Sequence, residues 1–377
     1  MKGKTTMIKK IGTAVLLLLA LTIVIHTAGL AEKTFLMTFT GDCTLGSEEV
    51  KRGNPNSFDT FAKEKGYDYF FANFKEMFEN DDLTVINLEG VLSDNSYDEN
   101  RKKQFRFRGP TDFAKILTGS SIEAAGISNN HMMDFGNQGL KSTKEALDQH
   151  GVHWFRGEKF YLHDHDGLKI AFVALDTRQY NSMRGKLDKT FRQLKEEDGA
   201  NAIVVCMHAG MEYRAKHEDK IGEIAQKIIG AGADLLIMHH PHVLQGMEII
   251  NNRNVFYSMG NFVFGGNCEI KANKKNPSVT SLYSMAVQIR MTFTNEGKYL
   301  GQQAVIYPAN ISDDPAENHY QPLRLSAADA VPVREAIQRD TAFELPELTE
   351  KDGFSLMEFP YIPDTEGTMM PEAEQGE

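Results

Sequence analysis

Between residue 33 and about residue 308, short apolar runs alternate with longer stretches whose apolar positions recur every three or four residues. TFLMTFT (34–40), LTVIN (83–87), IEAAGIS (122–128), AIVVCM (202–207) and DLLIM (234–238) are short and bounded by polar or glycine positions, so they read as strands. Between them lie helix-like stretches at 59–79, 111–120, 137–150 and 218–229. The first carries Phe61, Tyr69, Phe70, Phe74 and Phe78; the third meets Gly151 as a terminator; the last puts Ile221, Ile224, Ala225, Ile228 and Ile229 on one face. Two hairpins interrupt the alternation. Asp166-Gly167 separates two strand-like runs, and NNRN (251–254) joins MEII to VFYSM. SLYSMAVQIRMTFT (281–294) and GQQAVIYPAN (301–310) add two late strands. The pattern predicts an α/β layered domain with some antiparallel pairing. There is no internal repeat. Past residue 313 the pattern weakens to one helix at 325–339, and from Glu344 the chain is acidic and proline-rich, which predicts a loosely packed tail. The expected organisation is a leader over 1–31, a main domain over 33–310 and a C-terminal extension over 311–377.

The leader changes the picture first. MKGKTTMIKK carries four lysines and no acid, and IGTAVLLLLALTIVI follows without a charge. Gly29 and Ala31 stand in the small-residue places of a cleavage site before Glu32. This is a secretory signal peptide or a retained membrane anchor, and either places the rest of the chain outside the cytoplasm. No cysteine stands at the cleavage point to take a lipid. A net charge of −11 with pI about 5.6 leaves no basic field for nucleic acid. Three cysteines, Cys43, Cys206 and Cys268, do not make a disulfide scaffold and read as small buried thiols.

The chemistry lies at the strand ends. Gly41-Asp42 follows the first strand, and Leu88-Glu89 the second. Asn129-Asn130-His131 follows the third, with Asp134 three residues on. His208 and Glu212 follow the fourth, His239, His240 and His242 the fifth, and Gly260-Asn261 closes VFYSM. In α/β sheets, sites form beyond the carboxyl ends of strands, so these groups are expected to converge. Asp, Glu, Asn and His donors suit manganese, zinc or iron, as one or two ions. A carboxylate between two metals can hold both, and a spare histidine can act as general acid. His239 and Asn129 stand beside the patterned residues as neighbours, and Asp134 reads as a loop-holding hydrogen bonder.

In order and wording, FTGDCTLG, NLEGVL, SNNHMMDFGNQGL, HAGMEY, HHPHV and FYSMGNFVF resemble the CapA family of capsule-synthesis proteins, a branch of the calcineurin-like metallophosphoesterase superfamily. The resemblance spans about residues 35–265. It implies an α/β fold, the four-layer α/β/β/α sandwich of metallophosphoesterases. It implies Asp42 as a first-metal ligand, Glu89 as the bridging carboxylate and Asn130 as a second-metal ligand. His208, His240 and His242 complete the ligand set, and His131 is the acid or phosphate-stabilising histidine. Glu212 and Asn261 take motif positions from which they would hydrogen-bond to the ligands. Thr44 departs from the pattern: phosphoesterases of the superfamily carry a histidine ligand there.

The stretch RKKQFRFRGP (101–110) alternates Arg106 and Arg108 with Phe105 and Phe107. Its arginines suit bidentate grip on phosphates or carboxylates, or a solvated strand face. His163 and His165, beside the Asp166-Gly167 turn, read as a solvated strand tip rather than a metal pair. The resemblance implies a role in synthesis or export of a capsule polymer such as poly-γ-glutamate, with membrane synthase or export subunits as partners. Two readings stand: a metal-dependent hydrolase-like enzyme, and a non-catalytic polymer-binding or synthase-associated subunit whose metal site is structural or vestigial.

Overall fold

The structure is a computed structural model describing residues 32–364; the leader and the last residues, 365–377, lie outside it. Fourteen strands and five helices carry the architecture described below. The first sheet contains β1 (Glu32–Thr44), β2 (Leu83–Leu88), β3 (Ala124–Gly126) and β4 (His153–Phe155). The second contains β5 (Tyr161–His165), β6 (Leu168–Asp176), β7 (Ala202–His208), β8 (Leu235–His239), β9 (Met247–Ile250) and β10 (Arg253–Phe256). The chain then returns to the first sheet through β11 (Asn261–Phe264), β12 (Tyr283–Thr294), β13 (Tyr299–Asn310) and β14 (Phe354–Glu358). The main helices are α1 (Phe58–Lys65), α2 (Gly136–Gln149), α3 (Leu187–Glu196), α4 (Asp219–Gly230) and α5 (Ala327–Gln338).

The first sheet runs β14-β13-β12-β1-β2-β3-β4 and the second β9-β10-β8-β7-β6-β5. β1 to β4 are parallel to one another, as are β6, β7, β8 and β10. The parallel strands are apolar along their whole length because both faces are covered. Alternation assigns the faces. In β7, Val204 and Cys206 point at the other sheet, whereas Ile203, Val205 and Met207 point at helices. The inter-sheet core joins Phe35, Met37 and Phe39 of β1 to Phe172, Val204 and Ile237. Outside it, Ile86 and Ala125 pack on Phe74, Leu117 and Leu147, and Val173 and Leu236 pack on Phe191 and Ile228. Each such apolar side chain contributes roughly 1.5–3 kcal/mol on burial. The result is four layers, helices–sheet–sheet–helices, as expected for a metallophosphoesterase-like fold.

The structure departs from the sequence pattern in three places. The helix expected through 59–79 stops at Lys65, because Gly66 takes φ +81°, and resumes only as Lys75–Glu79. The tail expected to be loose from Glu344 is instead built into the first sheet as far as Asp364. Val305 and Ile306 of β13 pair with Glu358 and Met357 of β14, and Leu356 and Met357 are buried. His163 and His165 are half-buried rather than solvated, with ring centres 5.4 and 5.6 Å from Phe35. The hairpin turn forms as read, with Asp166 at φ 51° and Gly167 at φ 77°. Cys43, Cys206 and Cys268 are free and buried.

At the amino end of the first sheet, Asp81 accepts a hydrogen bond from Thr84 Oγ1 at 2.7 Å. Burial, with Glu123 and Asp82 nearby, pushes its carboxyl up to about 7 against the Thr38 and Thr84 hydrogen bonds. The folded protein therefore binds this proton more tightly than the unfolded chain, so stability falls as pH rises from about 4 through about 7. Asp81→Asn is expected to stabilise the protein at pH 8 by on the order of 2–4 kcal/mol, with the gain vanishing near pH 4. Urea denaturation of both proteins at the two pH values checks this.

Candidate metal centre

The site begins with an irregularity in β1. Its register with β2 shifts between Phe39 and Asp42, and its register with β11 between Asp42 and Thr44. Such a bulge bends a strand and re-aims the side chain it carries. Gly41 makes the close approach possible, since a Cβ there would lie 2.4 Å from the Gly260 carbonyl oxygen. Asp42 is fully buried and its N–H donates to that same carbonyl at 2.9 Å. Gly41→Ala is therefore expected to push β11 off β1, destabilise the fold by about 1–3 kcal/mol and weaken metal retention. Thermal denaturation with and without added metal measures both effects.

Asp42 Oδ1 accepts from Asn87 Nδ2 at 2.8 Å, and Oδ2 accepts from the His240 backbone N–H at 3.2 Å. His242 Nδ1 lies 3.4 Å from Oδ2. Glu89, immediately after β2, is fully buried, and neither carboxylate oxygen has a hydrogen-bond partner among the described residues. Around Oε1 stand His208 Nε2 at 3.6 Å, His131 Nε2 at 3.8 Å and His242 Nε2 at 3.9 Å. Two groups of donors among the described residues can each close on one ion: Asp42, Glu89 and His208, and Glu89, His240 and His242. Glu89 belongs to both, the place expected of a bridging carboxylate. His240 Nδ1 is also buried without a partner. Unpaired buried oxygen and imidazole donors, turned toward one another, fit a divalent cation.

The surrounding groups hold these donors in place. Asn130 is exposed; its Oδ1 accepts from His208 Nε2 at 2.8 Å. Asn261 Oδ1 accepts from His242 Nδ1 at 2.9 Å, which leaves Nε2 facing Glu89. His240 and His242 take φ of 106° and 57°, sparsely populated for residues with a Cβ, so the loop is held in a conformation it would not choose alone. His239 turns the other way and donates from Nε2 to the Thr40 carbonyl at 3.0 Å, inside the fold. Asn129 holds the following loop, with Nδ2 donating to the Leu88 carbonyl at 2.7 Å.

His131 is fixed on two sides. Its Nδ1 donates to Asp134 Oδ2 at 2.6 Å, and Phe107 stacks on its ring with centres 4.1 Å apart. Asp134, itself fully buried, accepts from Lys103 Nζ at 2.5 Å and from the Phe107 backbone N–H at 2.9 Å. His131 Nε2 is thus the free nitrogen, directed at the cluster. Asn87, Lys103 and Phe107 were not singled out by the sequence pattern. Asn87 alone carried a signal, as the polar residue in the apolar run LTVIN.

Arg106 and Arg108 are not brought to the cluster. Arg106 bonds Glu99 Oε1 from Nε and Nη2, at 3.0 and 2.9 Å. Arg108 makes a two-pronged bond to Glu49 at 2.9 and 2.8 Å and donates to the Ser93 carbonyl at 2.8 Å. Both guanidiniums are spent on this chain's own acceptors. Glu212 is exposed, close enough for its charge to act on Glu89, His240 and His242.

The electrostatics follow from crowding acids and imidazoles away from water. Burial raises Glu89 well above the usual carboxylate range; His242 opposes this, and the charges of Asp42, Glu212 and Asp134 add to it. Asp42 moves the other way. Burial would raise it, but the His242 hydrogen bond and the His239, His242 and His208 imidazoles together hold it low. Burial lowers His208 well below its ordinary value, with His240 adding to the effect, and pushes His240 down to about 4. His242 overcomes burial because Glu89 and Asp42 face it, and rises to about 9. The opposed shifts, Glu89 and His242 up and Asp42, His208 and His240 down, have one cause: acids and imidazoles packed against one another away from water.

A family model for bacterial capsule synthesis proteins, PGA_cap, matches residues 36–266. The capsule biosynthesis protein CapA of Bacillus anthracis is 27% identical over 252 residues, 60% of this chain and 59% of that one. The PGA biosynthesis protein CapA of Bacillus subtilis is 27% identical over 266 residues, 63% of this chain and 67% of that one. A probable polyglutamine synthesis accessory protein of Mycobacterium tuberculosis is 23% identical over 211 residues, 48% of this chain and 55% of that one. The match to the Bacillus anthracis relative spans less than two thirds of that protein's length. The family match contains every donor from Asp42 to His242 and takes in more than half of the chain; the chain belongs to the PGA_cap family of bacterial capsule synthesis proteins.

Proposed function

We propose that this chain serves the synthesis or export of an acidic capsule polymer at the cell surface, and that its buried cluster is a metal-dependent, hydrolase-like centre acting on a phosphoester or amide of that polymer. The observation that carries this is Glu89: it is buried, unpaired at both oxygens, and shared between two groups of metal-type donors. Asp42, Glu89, Asn130, His208, His240 and His242 would hold manganese, zinc or iron. Such an ion would supply Lewis-acid stabilisation of charge on the reacting oxygen. His131 donates its Nδ1 proton to Asp134 and turns Nε2 toward the cluster; with a second proton on Nε2, as the imidazolium that Asp134 favours, it would donate that proton to the leaving group as general acid. Burial lowers its pKa, opposed by the Asp134 hydrogen bond and charge. Asn261 and Asn130 orient His242 and His208. The lysine-rich apolar leader supports export; no helix among the described residues is long and apolar enough to cross a membrane.

The test is hydrolysis of a simple phosphodiester and of poly-γ-glutamate after loading with manganese, zinc or iron. His131→Ala is expected to lower the rate by about 10²–10⁴-fold while metal content stays unchanged. No turnover of either substrate with any of the metals would overturn the catalytic reading.

One observation favours the non-catalytic reading. Thr44 is buried with its hydroxyl unpaired, at the position where phosphoesterases of the superfamily carry a histidine ligand. Retained metal and polymer binding without turnover would select that reading.

A further inference from the structure

Trp154 is the chain's only tryptophan. It lies in β4, the edge strand of the first sheet, on the face packed with Ala146 and Leu147 of α2. Two ammoniums sit over its ring: Lys159 Nζ at 3.4 Å and Lys144 Nζ at 4.8 Å from the centroid. Half-buried Arg156 follows two residues later, and its buried Nε has no acceptor among the described residues. Burial and the charges of Arg156 and Lys159 push Lys144 down, and burial pushes Arg156 down with Arg178 adding to it. Two carboxylates offset part of this, Asp148 acting on Lys144 and Asp176 on Arg156, while each also holds a neutral N–H. Asp148 accepts from the indole N–H at 2.8 Å, and Asp176 accepts from the Gln179 N–H at 2.7 Å as a helix cap. In a chain of net charge −11, this is a crowd of like charges that a bound anion would relieve.

Its place in the fold suggests which anion. Asp42, Asn87, Gly126 and Phe155 pair in register across β1, β2, β3 and β4. Three steps of ~4.8 Å put the end of β4 ~14 Å from Asp42, on the same rim of the sheet. A few residues of an extended polyamide span that distance.

We propose that Trp154 with Lys144, Arg156 and Lys159 forms a carboxylate-binding subsite for an acidic polymer chain whose neighbouring segment lies at the metal cluster. The identity of the polymer as poly-γ-glutamate rests on the capsule role proposed above; the carboxylate chemistry rests on the cation cluster itself. The ammoniums that cover the indole also make it the reporter, because a ligand that draws them away changes its fluorescence.

The experiment titrates the purified protein with short γ-linked oligoglutamate, with its α-linked isomer, with the uncharged carboxamide isostere, and with anionic phospholipid vesicles. Fluorescence of Trp154 is read alongside calorimetry, which keeps the comparison free of baseline changes in variants. The γ-linked chain is expected to give a saturable change that weakens as salt is raised. The surface double variant Lys144→Glu/Lys159→Glu is expected to raise its Kd about tenfold or more while metal content stays as in wild type. An unchanged Kd in the double variant, an equal response to the uncharged isostere, or a response to vesicles alone would overturn the subsite. A Lys144- and Lys159-dependent response to the α-linked chain alone would keep the carboxylate subsite and overturn poly-γ-glutamate as its occupant.

Discussion

Glu89→Gln is expected to stabilise the metal-free protein at pH 8 and to abolish the stabilisation that metal gives the wild type. Burial holds the Glu89 carboxyl well above its ordinary range, and both oxygens lack partners among the described residues. With the folded pKa above the unfolded one, the metal-free protein loses stability as pH rises from about 4.5 upward. The amide has no such proton to lose, so the variant is expected to gain about 1–3 kcal/mol at pH 8 and nothing near pH 4. Metal reverses the order. An ion at 100 times its Kd stabilises the wild type by about 2.7 kcal/mol, and a neutral amide with one acceptor oxygen in the place shared by two donor groups is expected to lose that affinity. Thermal denaturation of both proteins, chelated and metal-loaded, measures the crossing. A wild type that is the more stable of the two without metal, at pH 8, would remove Glu89 from the centre of the site.

Asp134→Asn is expected to destabilise the fold and to separate positioning from metal binding. The carboxylate accepts from Lys103, from the Phe107 backbone and from His131 at once, with no water-exposed surface of its own. An amide of the same shape must turn an N–H toward one of these donors. The expected loss of stability is about 3–5 kcal/mol, because Lys103 or His131 is left with an unanswered charge or hydrogen. His131 loses the acceptor that keeps its proton on Nδ1, so any hydrolytic rate is expected to fall with the tautomer while metal content stays as in wild type. Asp134→Glu, which restores the charge, is expected to recover part of the stability. Metal content separates this from a direct ligand role: a variant that folds but no longer retains metal would make Asp134 part of the metal shell.

Much of the layered fold was legible because its strands are buried on both faces and therefore read as unbroken apolar runs between turn residues. DLLIM and AIVVCM are the clearest, and each ends where a histidine begins. The convergence of Asp42, Glu89, His208, His240 and His242 was legible for a topological reason: parallel strands place their carboxyl ends on one rim. The break at Gly66 was harder to read, since phenylalanines continue at helical spacing on both sides of it. β14 was hidden by its acidic surroundings, although FSLMEF (354–359) holds four consecutive buried positions, Phe354 to Met357. Arg106 and Arg108 looked available because a sequence does not show that Glu99 and Glu49 fold back onto them. Lys103 and Phe107 were invisible for the converse reason. Their roles arise from a loop crossing over His131, and no local pattern encodes that contact.

The most direct test of the centre is metal content by elemental mass spectrometry. The wild type and a His240→Ala/His242→Ala variant are loaded with manganese, zinc or iron, then desalted. The expected result is at least about one ion per wild-type chain, held through desalting, and marked loss in the variant. A wild type that comes off the column free of all three metals, while folded, would contradict a metal centre at Asp42, Glu89 and the strand-end histidines.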